Sequence, residues 1–498
     1  MARSFAVRGV VEGFYGPPWE PAARREAISF LADRGMNAYV YAPKDDVWHR
    51  ARWREPYPEA ERAEIERLAR HCAAVGVRMG FAVSPGLDID YRSPEDLALL
   101  VAKLSGLRAA GADWFLLLLD DIPMRPGLAA DQGALATALG REISATGSAE
   151  LTICPTEYLG TYPSPYLGEL ARRSPAGCGF LWTGPTVCSP RIEAAEADAW
   201  IEALGGHRTL LWDNTPVNDA TMTHALHLAP YGGRDPALAD RLDGVLCNPM
   251  TQAHASLVPL ATAMRFLASP DDYDAEAAWA EAVSDVGGRR ARALGVLARA
   301  CGDGPIPAPG GLPLGRMVAE LEACLGGSDW GVPAAALADE LRAARSLPVD
   351  LAPDRPSDGL GTEIGPWCAA AAIEARAGLA ALRVIQELRS PASGADPEPG
   401  ALLGLVYGLI ARWFEARRSP VTVFGPRFAV YSAIRQRPDG SAVLAIDDAL
   451  VEDANAIDRL CRLALDDYSR WIDSDGAARP SRPDGPLPFP PRDERTTP

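Results

Sequence analysis

The sequence predicts an α/β protein in which a (β/α)8 barrel, or TIM barrel, is followed by an all-helical bundle. Over about the first 265 residues, eight short apolar runs alternate with amphipathic stretches. Polar residues also cluster just after nearly every apolar run. Eight strands, nearly all separated by helices, are typical of a closed barrel, which builds its active site where the strands end.

The predicted strands are short and apolar. Residues 116–119 are four consecutive leucines, which indicates a fully buried strand. With the polar residues that follow them, the eight predicted strands span 7–16, 37–44, 78–86, 113–123, 150–158, 179–185, 208–216 and 243–250.

Amphipathic helices are predicted between most of these strands. Apolar residues recur at helical spacing within 59–76, and glycines end the helices as C-caps at Gly35, Gly76 and Gly111. An open, doubly wound sheet is the alternative to a barrel. The count of eight strands and the lack of a G-x-G-x-x-G turn disfavour it.

From about residue 272 the composition changes. Gly/Pro-rich breaks separate segments rich in Ala, Leu, Arg and Glu, which predicts a helical bundle, and one patch at 420–434 is compatible with a strand. The predicted helical segments are 273–301, 313–346, 363–389, 400–418 and 449–474. We therefore predict a barrel over 1–270, a helical bundle over 271–475 and a disordered tail over 476–498.

Composition limits the classes of partner. The 498-residue chain has a net charge of −17, which disfavours nucleic acids and anionic membranes. No segment approaches the roughly 20 uninterrupted apolar residues of a membrane span, and the N-terminus lacks the apolar run of a signal peptide. Nine cysteines are scattered singly, which indicates reduced thiols. These features predict a cytoplasmic enzyme.

Two adjacent carboxylates, Asp120 and Asp121, end the fourth predicted strand. One could simply cap the next helix while the other faces solvent. At a barrel mouth, however, two close carboxylates can provide a proton donor beside a persistent anion. Neighbours on one strand are poorly placed to flank a glycosidic bond. They suit a substrate that carries its own nucleophile, such as a 2-acetamido group.

Side chains suited to a sugar follow other predicted strands. A pyranose has an apolar face and a polar rim, so its site combines aromatic surfaces with amide, hydroxyl and carboxylate groups. Each candidate alone could be a core or loop residue, but their coincidence at strand ends favours a sugar site. The candidates are Gly13, Lys44, Tyr158, Trp182, Trp212, Asn214, Asp219 and Asn248.

These strand-end segments resemble the family 84 glycoside hydrolases, the β-N-acetylglucosaminidases that include protein O-GlcNAcases and clostridial enzymes once called hyaluronidases. The resemblance covers roughly residues 7–265. It consists of GVVEGFYGPPW, YAPKDD, WREPYPE, SPGLDI, LDDI, PTEY, WTGP, WDNTPVND and NPM, in the family's order. The family's barrel is followed by a helical domain, in agreement with the composition change near 272.

The resemblance implies a retaining exo-β-N-acetylglucosaminidase that removes terminal GlcNAc through an oxazoline intermediate. It implies that Asp121 is the general acid/base and that Asp120 orients the acetamido group. The acetamido pocket would be framed by Tyr158 and Trp212. The sugar hydroxyls would be bound by Gly13, Lys44, Asn214, Asp219 and Asn248. No metal or organic cofactor is implied.

Some features depart from the family or stay open. Asp213 stands where the family often has an aromatic or apolar residue, and we expect it to alter the pocket wall. The helical region carries no family motif, and its role in homodimerisation or in shaping a substrate groove is open. The predicted partner is a GlcNAc-bearing glycoside or glycoprotein.

Three alternative functions differ from an O-GlcNAcase-like activity. A metal-dependent hydrolase would use His224 and His227 on one helix face. A non-catalytic GlcNAc-binding protein would lack one of the two aspartates, although both are present. A β-hexosaminidase acting on bacterial glycans would share the sugar pocket but differ in its aglycone.

Overall fold

The computed structural model describes residues 3–145, 149–302, 313–355, 357–389, 397–425, 428–436, 442–450 and 455–473. Eight parallel strands form a closed barrel in chain order, in which β1 pairs with both β2 and β8. The strands are β1 Val7–Glu12, β2 Ala38–Tyr41, β3 Arg78–Val83, β4 Trp114–Leu118, β5 Glu150–Cys154, β6 Gly179–Trp182, β7 Arg208–Asp213 and β8 Gly244–Cys247. The predicted barrel is confirmed.

Helices connect most of the strands, as predicted. They are α1 Pro21–Ala32, α2 Glu59–Ala74, α3 Pro94–Ala109, α4 Leu128–Ala145, α5 Pro165–Arg173 and α6 Ala194–Ala203, and α7 Ala253–Ala268 follows the last strand. The glycines predicted to end the first three helices, Gly35, Gly76 and Gly111, have positive φ angles of 89°, 72° and 109°. This left-handed conformation is the usual helix C-terminus.

Both faces of the barrel strands are buried. In β4, Leu116 and Leu118 belong to the interior cluster, and Leu117 lies between them on the opposite face, equally inaccessible. Alternate residues of a strand point to opposite faces, and helices cover the outer face of a parallel sheet. This explains the uninterrupted leucine run.

The region after the barrel is mainly helical. Its helices are α8 Ala275–Gly287, α9 Ala291–Ala300, α10 Pro313–Cys324, α11 Gly331–Asp350, α12 Gly359–Arg389, α13 Pro399–Ala416 and α14 Ala456–Asp473. It is not all-helical, since an antiparallel hairpin of β9 Phe428–Gln436 and β10 Ala442–Leu450 precedes α14. The strand-compatible patch at 420–434 overlaps β9.

The last helix begins later than the predicted residue 449. The side-chain oxygen of Asn455 accepts hydrogen bonds from the backbone N–H groups of Ile457 and Asp458 at 3.0 and 3.1 Å. Asparagine at this position satisfies N–H groups that have no partner within the helix, so it fixes the start of α14. The predicted tail over 476–498 lies outside the described residues.

The chain divides into two compact units. Within the described residues, one comprises 3–222 and 230–282, and the other comprises 223–229 and the chain from 283 onward. The barrel and all the predicted site residues belong to the first unit. In the part of the chain that the structure describes, no helix combines the length and apolarity needed to span a bilayer.

Candidate active site

The predicted site residues lie at the carboxyl-terminal ends of the strands, where a barrel places its active site. The pair at 120–121 follows β4, and the other residues follow or end β1, β2, β5, β7 and β8. Hydrogen bonds, an ion pair and a cation–π contact, described next, link these residues, with Tyr15 as the link to Asp219.

Asp120 is the buried member of the aspartate pair, with 8% of its surface exposed. Its Oδ2 atom forms an ion pair with Nζ of Lys44, which is also buried. Its Oδ1 atom is buried and accepts no hydrogen bond from any described residue. A buried acceptor without a donor costs about 1–3 kcal/mol. This oxygen is therefore an open position for a donor that a ligand supplies.

Asp121 is exposed and lies between two tyrosine hydroxyls. Its Oδ2 accepts a hydrogen bond from Tyr15 at 2.6 Å, and its Oδ1 accepts one from Tyr158 at 3.1 Å. Its φ angle of +55° is left-handed, a conformation in which aspartate is enriched. The two neighbouring carboxylates thus have different surroundings: a buried cation for one, and hydroxyls and solvent for the other.

A tryptophan and two amides lie on the opposite side of the barrel mouth. Trp212 Nε1 and Asn248 Nδ2 each donate to Asn214 Oδ1 at 3.0 Å, and the backbone N–H of Gly13 donates to Asn248 Oδ1 at 3.2 Å. A Cβ atom at Gly13 would overlap the Trp212 ring. Glycine is therefore required here by the indole, in addition to the close approach to a ligand predicted from the sequence.

Lys44 joins the two sides of the site. Its ammonium Nζ pairs with Asp120 and lies 5.9 Å from the centroid of the Trp212 ring. At this distance the cation is attracted to the electron-rich face of the indole. The aspartate pair and the amide group are thus parts of one site.

Burial raises the pKa of two further site residues. It raises the pKa of the Asp219 carboxyl, and Asp121 raises that pKa further, against the lowering effect of the Tyr15 backbone N–H that donates to Asp219 at 2.7 Å. Burial also raises the pKa of the Tyr158 hydroxyl, with Asp121 and Asp120 adding to the shift. Tyr158 therefore remains a neutral hydrogen-bond donor.

The sequence interpretation missed two residues of this site. The Tyr15 hydroxyl, which donates to Asp121, accepts a hydrogen bond from Nη1 of Arg50 at 2.8 Å. Tyr15 lies in the quoted stretch VVEGFYG, so its position after a strand was an available signal. Arg50 lies beyond the quoted YAPKDD, and its sequence position gave no comparable signal.

Two sequence-based expectations are wrong. Trp182 is not a free surface: it is fully buried, stacks on Trp200 with centroids 5.8 Å apart, and donates from Nε1 to the Gly160 carbonyl at 3.0 Å. Asp213 does not alter the pocket wall, because its buried carboxylate pairs with Arg234 at 2.6 Å. Trp212 points into the barrel, so the next residue along the strand faces outward.

The metal-dependent alternative lacks its predicted geometry. His224 and His227 lie in a segment that is not helical, so they do not share a helix face. Among the described residues, no group of three or more His, Cys, Asp or Glu side chains is arranged to hold a metal ion.

Comparison with known proteins shows the family to which the chain belongs. A family model described as NAGidase, beta-N-acetylglucosaminidase, matches residues 8–299. The chain belongs to this family. The family predicted from the strand-end motifs is thereby confirmed, and with it the class of glycoside hydrolases.

Individual relatives of this β-N-acetylglucosaminidase family member include the protein O-GlcNAcases of Rattus norvegicus and Mus musculus. Each is 37% identical over 268 residues, a match that covers 51% of this chain and 29% of the relative. A solved structure of a Thermobaculum terrenum O-GlcNAc hydrolase mutant is similar at 25% identity, with a TM-score of 0.78, over 95% of this chain and 97% of that one. The similarity to the solved structure thus extends beyond the barrel.

Proposed function

We propose that this protein is a retaining exo-β-N-acetylglucosaminidase that removes terminal GlcNAc by substrate-assisted catalysis. The observation that carries the proposal is the buried, unpartnered Oδ1 of Asp120 beside an Oδ2 that is held by Lys44. A carboxylate fixed in this way accepts one more hydrogen bond from a ligand. The N–H of a 2-acetamido group is a donor of the required kind.

In the first step, the acetamido carbonyl oxygen of the substrate attacks C1. Asp120 accepts the hydrogen bond from the acetamido N–H and stabilises the positive charge that develops there. Asp121 gives its proton to the leaving glycosidic oxygen as the bond from C1 to that oxygen breaks. The products are a protonated oxazoline, whose N–H stays hydrogen-bonded to Asp120, and the free aglycone alcohol.

In the second step, water opens the oxazoline. Asp121, now a carboxylate, takes a proton from the attacking water, and the bond between C1 and the acetamido oxygen breaks to restore the amide. Each step inverts C1, so the configuration is retained. The protein supplies an acid/base and an anion, which agrees with the different surroundings of the two aspartates.

The other site residues suit recognition of the terminal sugar. We assign the acetamido pocket to Tyr158 and Trp212, and the sugar hydroxyls to Lys44, Asn214, Asp219, Asn248 and the backbone of Gly13. Buried carboxylate, amide and ammonium groups at one barrel mouth can bind several hydroxyls at once. This arrangement favours an exo-acting enzyme.

The relatives favour O-GlcNAc on protein as the substrate, because they are protein O-GlcNAcases. The alternative is GlcNAc in a bacterial glycan or small glycoside. Relative kcat/KM values for O-GlcNAc peptides and GlcNAc-terminated cell-wall fragments decide between them. A preference for the fragments would contradict the protein substrate while leaving the reaction itself unchanged.

The mechanism is tested with three aryl glycosides: a β-N-acetylglucosaminide, the matching β-glucoside and an N-trifluoroacetyl analogue. We expect hydrolysis of the first, none of the second and a steep fall with fluorination, because fluorine weakens the acetamido nucleophile. Comparable rates on the glucoside would indicate a protein nucleophile. Complete inactivity would favour the non-catalytic GlcNAc-binding alternative.

A cyclic thiazoline that mimics the oxazoline provides a second test. It is expected to bind much more tightly than GlcNAc, because it resembles the intermediate rather than the product. Equal affinities would contradict an oxazoline. The homodimer and the cytoplasmic location stay predictions, which sedimentation velocity and cell fractionation test.

A further inference from the structure

The loop between β2 and α2 supplies a cation to each aspartate of the pair. Lys44 contacts Asp120 directly. Arg50 reaches Asp121 through one intervening hydroxyl, that of Tyr15. The direct contact and the relayed one correspond to the two roles in the proposed mechanism, a permanent anion and a group that exchanges a proton.

The Arg50 side chain interacts with Tyr15 in two ways. Its Nη1 donates to the Tyr15 hydroxyl at 2.8 Å, and its guanidinium carbon lies 5.4 Å from the centroid of the same ring. Its Nε atom is buried without a hydrogen-bond partner among the described residues, and none of their ion pairs includes it. Its charge is therefore not neutralised by a carboxylate in direct contact.

The direction of the Tyr15 hydroxyl follows from this contact. Its oxygen accepts from Arg50, so its proton is donated to Asp121 Oδ2 at 2.6 Å. Burial, followed by the charge of Asp121, raises the pKa of Tyr15, so the hydroxyl stays protonated. The two bonds place the guanidinium within the roughly 4–6 Å over which an opposite charge stabilises a carboxylate.

We propose that Arg50 is a positioning residue that acts through the Tyr15 hydroxyl to stabilise the charged form of Asp121, and so sets the pH at which Asp121 ceases to act as an acid. The proposal rests on the function proposed above. In this arrangement the Arg50 guanidinium is close enough to stabilise the Asp121 carboxylate, but the neutral Tyr15 hydroxyl separates the two charges. The Asp121 carboxyl can therefore give up a proton in one step of the proposed mechanism and accept one in the other.

Other groups around Asp121 also influence its charge. Tyr158 donates to it, and Asp120 precedes it with Lys44 as counterion. Cys154 and Asp219 are the other titratable neighbours. Replacing Arg50 leaves all of these groups in the sequence. A shift in the pH dependence on replacement is therefore attributed to loss of the guanidinium charge.

The test is the pH dependence of kcat/KM for a β-N-acetylglucosaminide with a poor leaving group. Activity of the acid is lost as pH rises, and removing a cation makes the carboxyl keep its proton to higher pH. Arg50→Gln is therefore expected to shift the alkaline limb upward by about one pH unit. Arg50→Lys keeps the charge and is expected to restore most of the original limb.

Arg52→Gln is the matched control. Arg52 lies in the same loop, but its side chain is 50% exposed and pairs with Glu55. Its replacement is expected to leave the alkaline limb in place. A purely structural role of Arg50 would lower activity at every pH without moving the limb, and this result would overturn the proposal.

A second variant and a second readout make the test independent. Tyr15→Phe removes the relay but keeps Arg50, and is expected to shift the limb in the same direction. The carboxyl 13C signal of Asp121, assigned with Asp121→Asn and titrated in the wild type and in Arg50→Gln, needs no catalysis. An unmoved titration overturns the Arg50 inference, whereas an inactive wild type with a moved titration overturns only the proposed function.

Discussion

The two ends of the barrel hold their charged side chains in opposite ways. At the amino-terminal end, Arg78 bridges Asp113 and Glu150, and Arg208 bridges Glu150 and Asp243. These side chains are between 20% and 62% exposed, and every one of them has an oppositely charged partner. Water screens such pairs, so each contributes little to stability.

At the carboxyl-terminal mouth, the Lys44–Asp120 pair is buried and incompletely matched. The side chains of Lys44 and Asp120 are 3% and 10% exposed, yet one oxygen of Asp120 has no partner among the described residues. Among the described residues, the Arg50 side chain donates a hydrogen bond only to the Tyr15 hydroxyl. The comparison shows that buried polar atoms at the mouth are left open to a ligand, whereas the exposed charges at the opposite end are paired within the protein.

The largest expected effect concerns a buried pair behind the mouth. Arg234 and Asp213 are both 1% exposed. Arg234→Met leaves a buried carboxylate without its cation, so the free energy of unfolding, measured in urea, should fall by about 3–5 kcal/mol. The double variant with Asp213→Leu should recover most of the loss. A single-variant loss below about 1 kcal/mol would show that this pair behaves like an exposed one.

The next effect is catalytic. In the proposed mechanism Asp120 is the anion that stabilises developing positive charge, so Asp120→Asn should lower kcat by about 10²–10³-fold, for good and poor leaving groups alike. Asp113→Asn at the opposite end, where the carboxylate is 62% exposed, is the matched control and should leave kcat unchanged. Full activity of Asp120→Asn would refute substrate assistance.

A smaller effect follows from the raised pKa of Asp219. The charged carboxylate accepts hydrogen bonds from sugar hydroxyls best, so KM should rise as pH falls through this raised value. Asp219→Asn should raise KM about tenfold at neutral pH and remove its dependence on pH in that range. A variant that keeps the wild-type pH profile of KM would assign that dependence to another group.

The raised pKa of Asp219 affects folding stability and substrate binding in opposite directions: low pH favours the folded protein but weakens binding. The neutral carboxyl is favoured in the folded protein relative to the unfolded chain, so this contribution is fully present below the ordinary pKa of aspartate. It is lost as pH rises through the raised value. Urea midpoints across this range, compared between wild type and Asp219→Asn, measure it.

The smallest effect belongs to the amino-terminal end. Arg208 is 45% exposed and pairs with Glu150 and Asp243. Arg208→Gln should lower the free energy of unfolding by less than about 1 kcal/mol and leave kcat/KM unchanged. A larger loss would mean that the linked pairs at this end act as a network.

The barrel was predictable because each strand carries its own signal. The consecutive leucines from Leu116 are buried on both faces of β4, and such a run can be recognised from the local sequence alone. The hairpin was predicted only in part. β9 overlaps the strand-compatible patch at 420–434, whereas β10 ends at residue 450, within the segment 449–474 that was predicted to be helical. The start of α14 depended on the single capping residue Asn455.

The site candidates were taken from residues that follow a strand within a few positions, as far as Asp219, six positions beyond β7. Lys44 and Asp120 lie just after β2 and β4, which are separated only by β3, so their side chains meet at one edge of the sheet. The orientation of a hydroxyl toward a carboxylate 106 positions away, as between Tyr15 and Asp121, depends on the loops and has no local signal. The outward direction of Asp213 could have been inferred from strand alternation, since Trp212 was already placed inside.

The left-handed backbone of Asp121 limits how this chain can change over evolutionary time. Asparagine and glycine tolerate that conformation, and an aspartate codon becomes an asparagine codon by one base change. Asp121→Asn would keep the backbone conformation but remove the proposed acid/base group and one of the two acceptors that Tyr15 and Tyr158 use. A GlcNAc-binding protein without catalysis thus lies one mutation from the proposed enzyme.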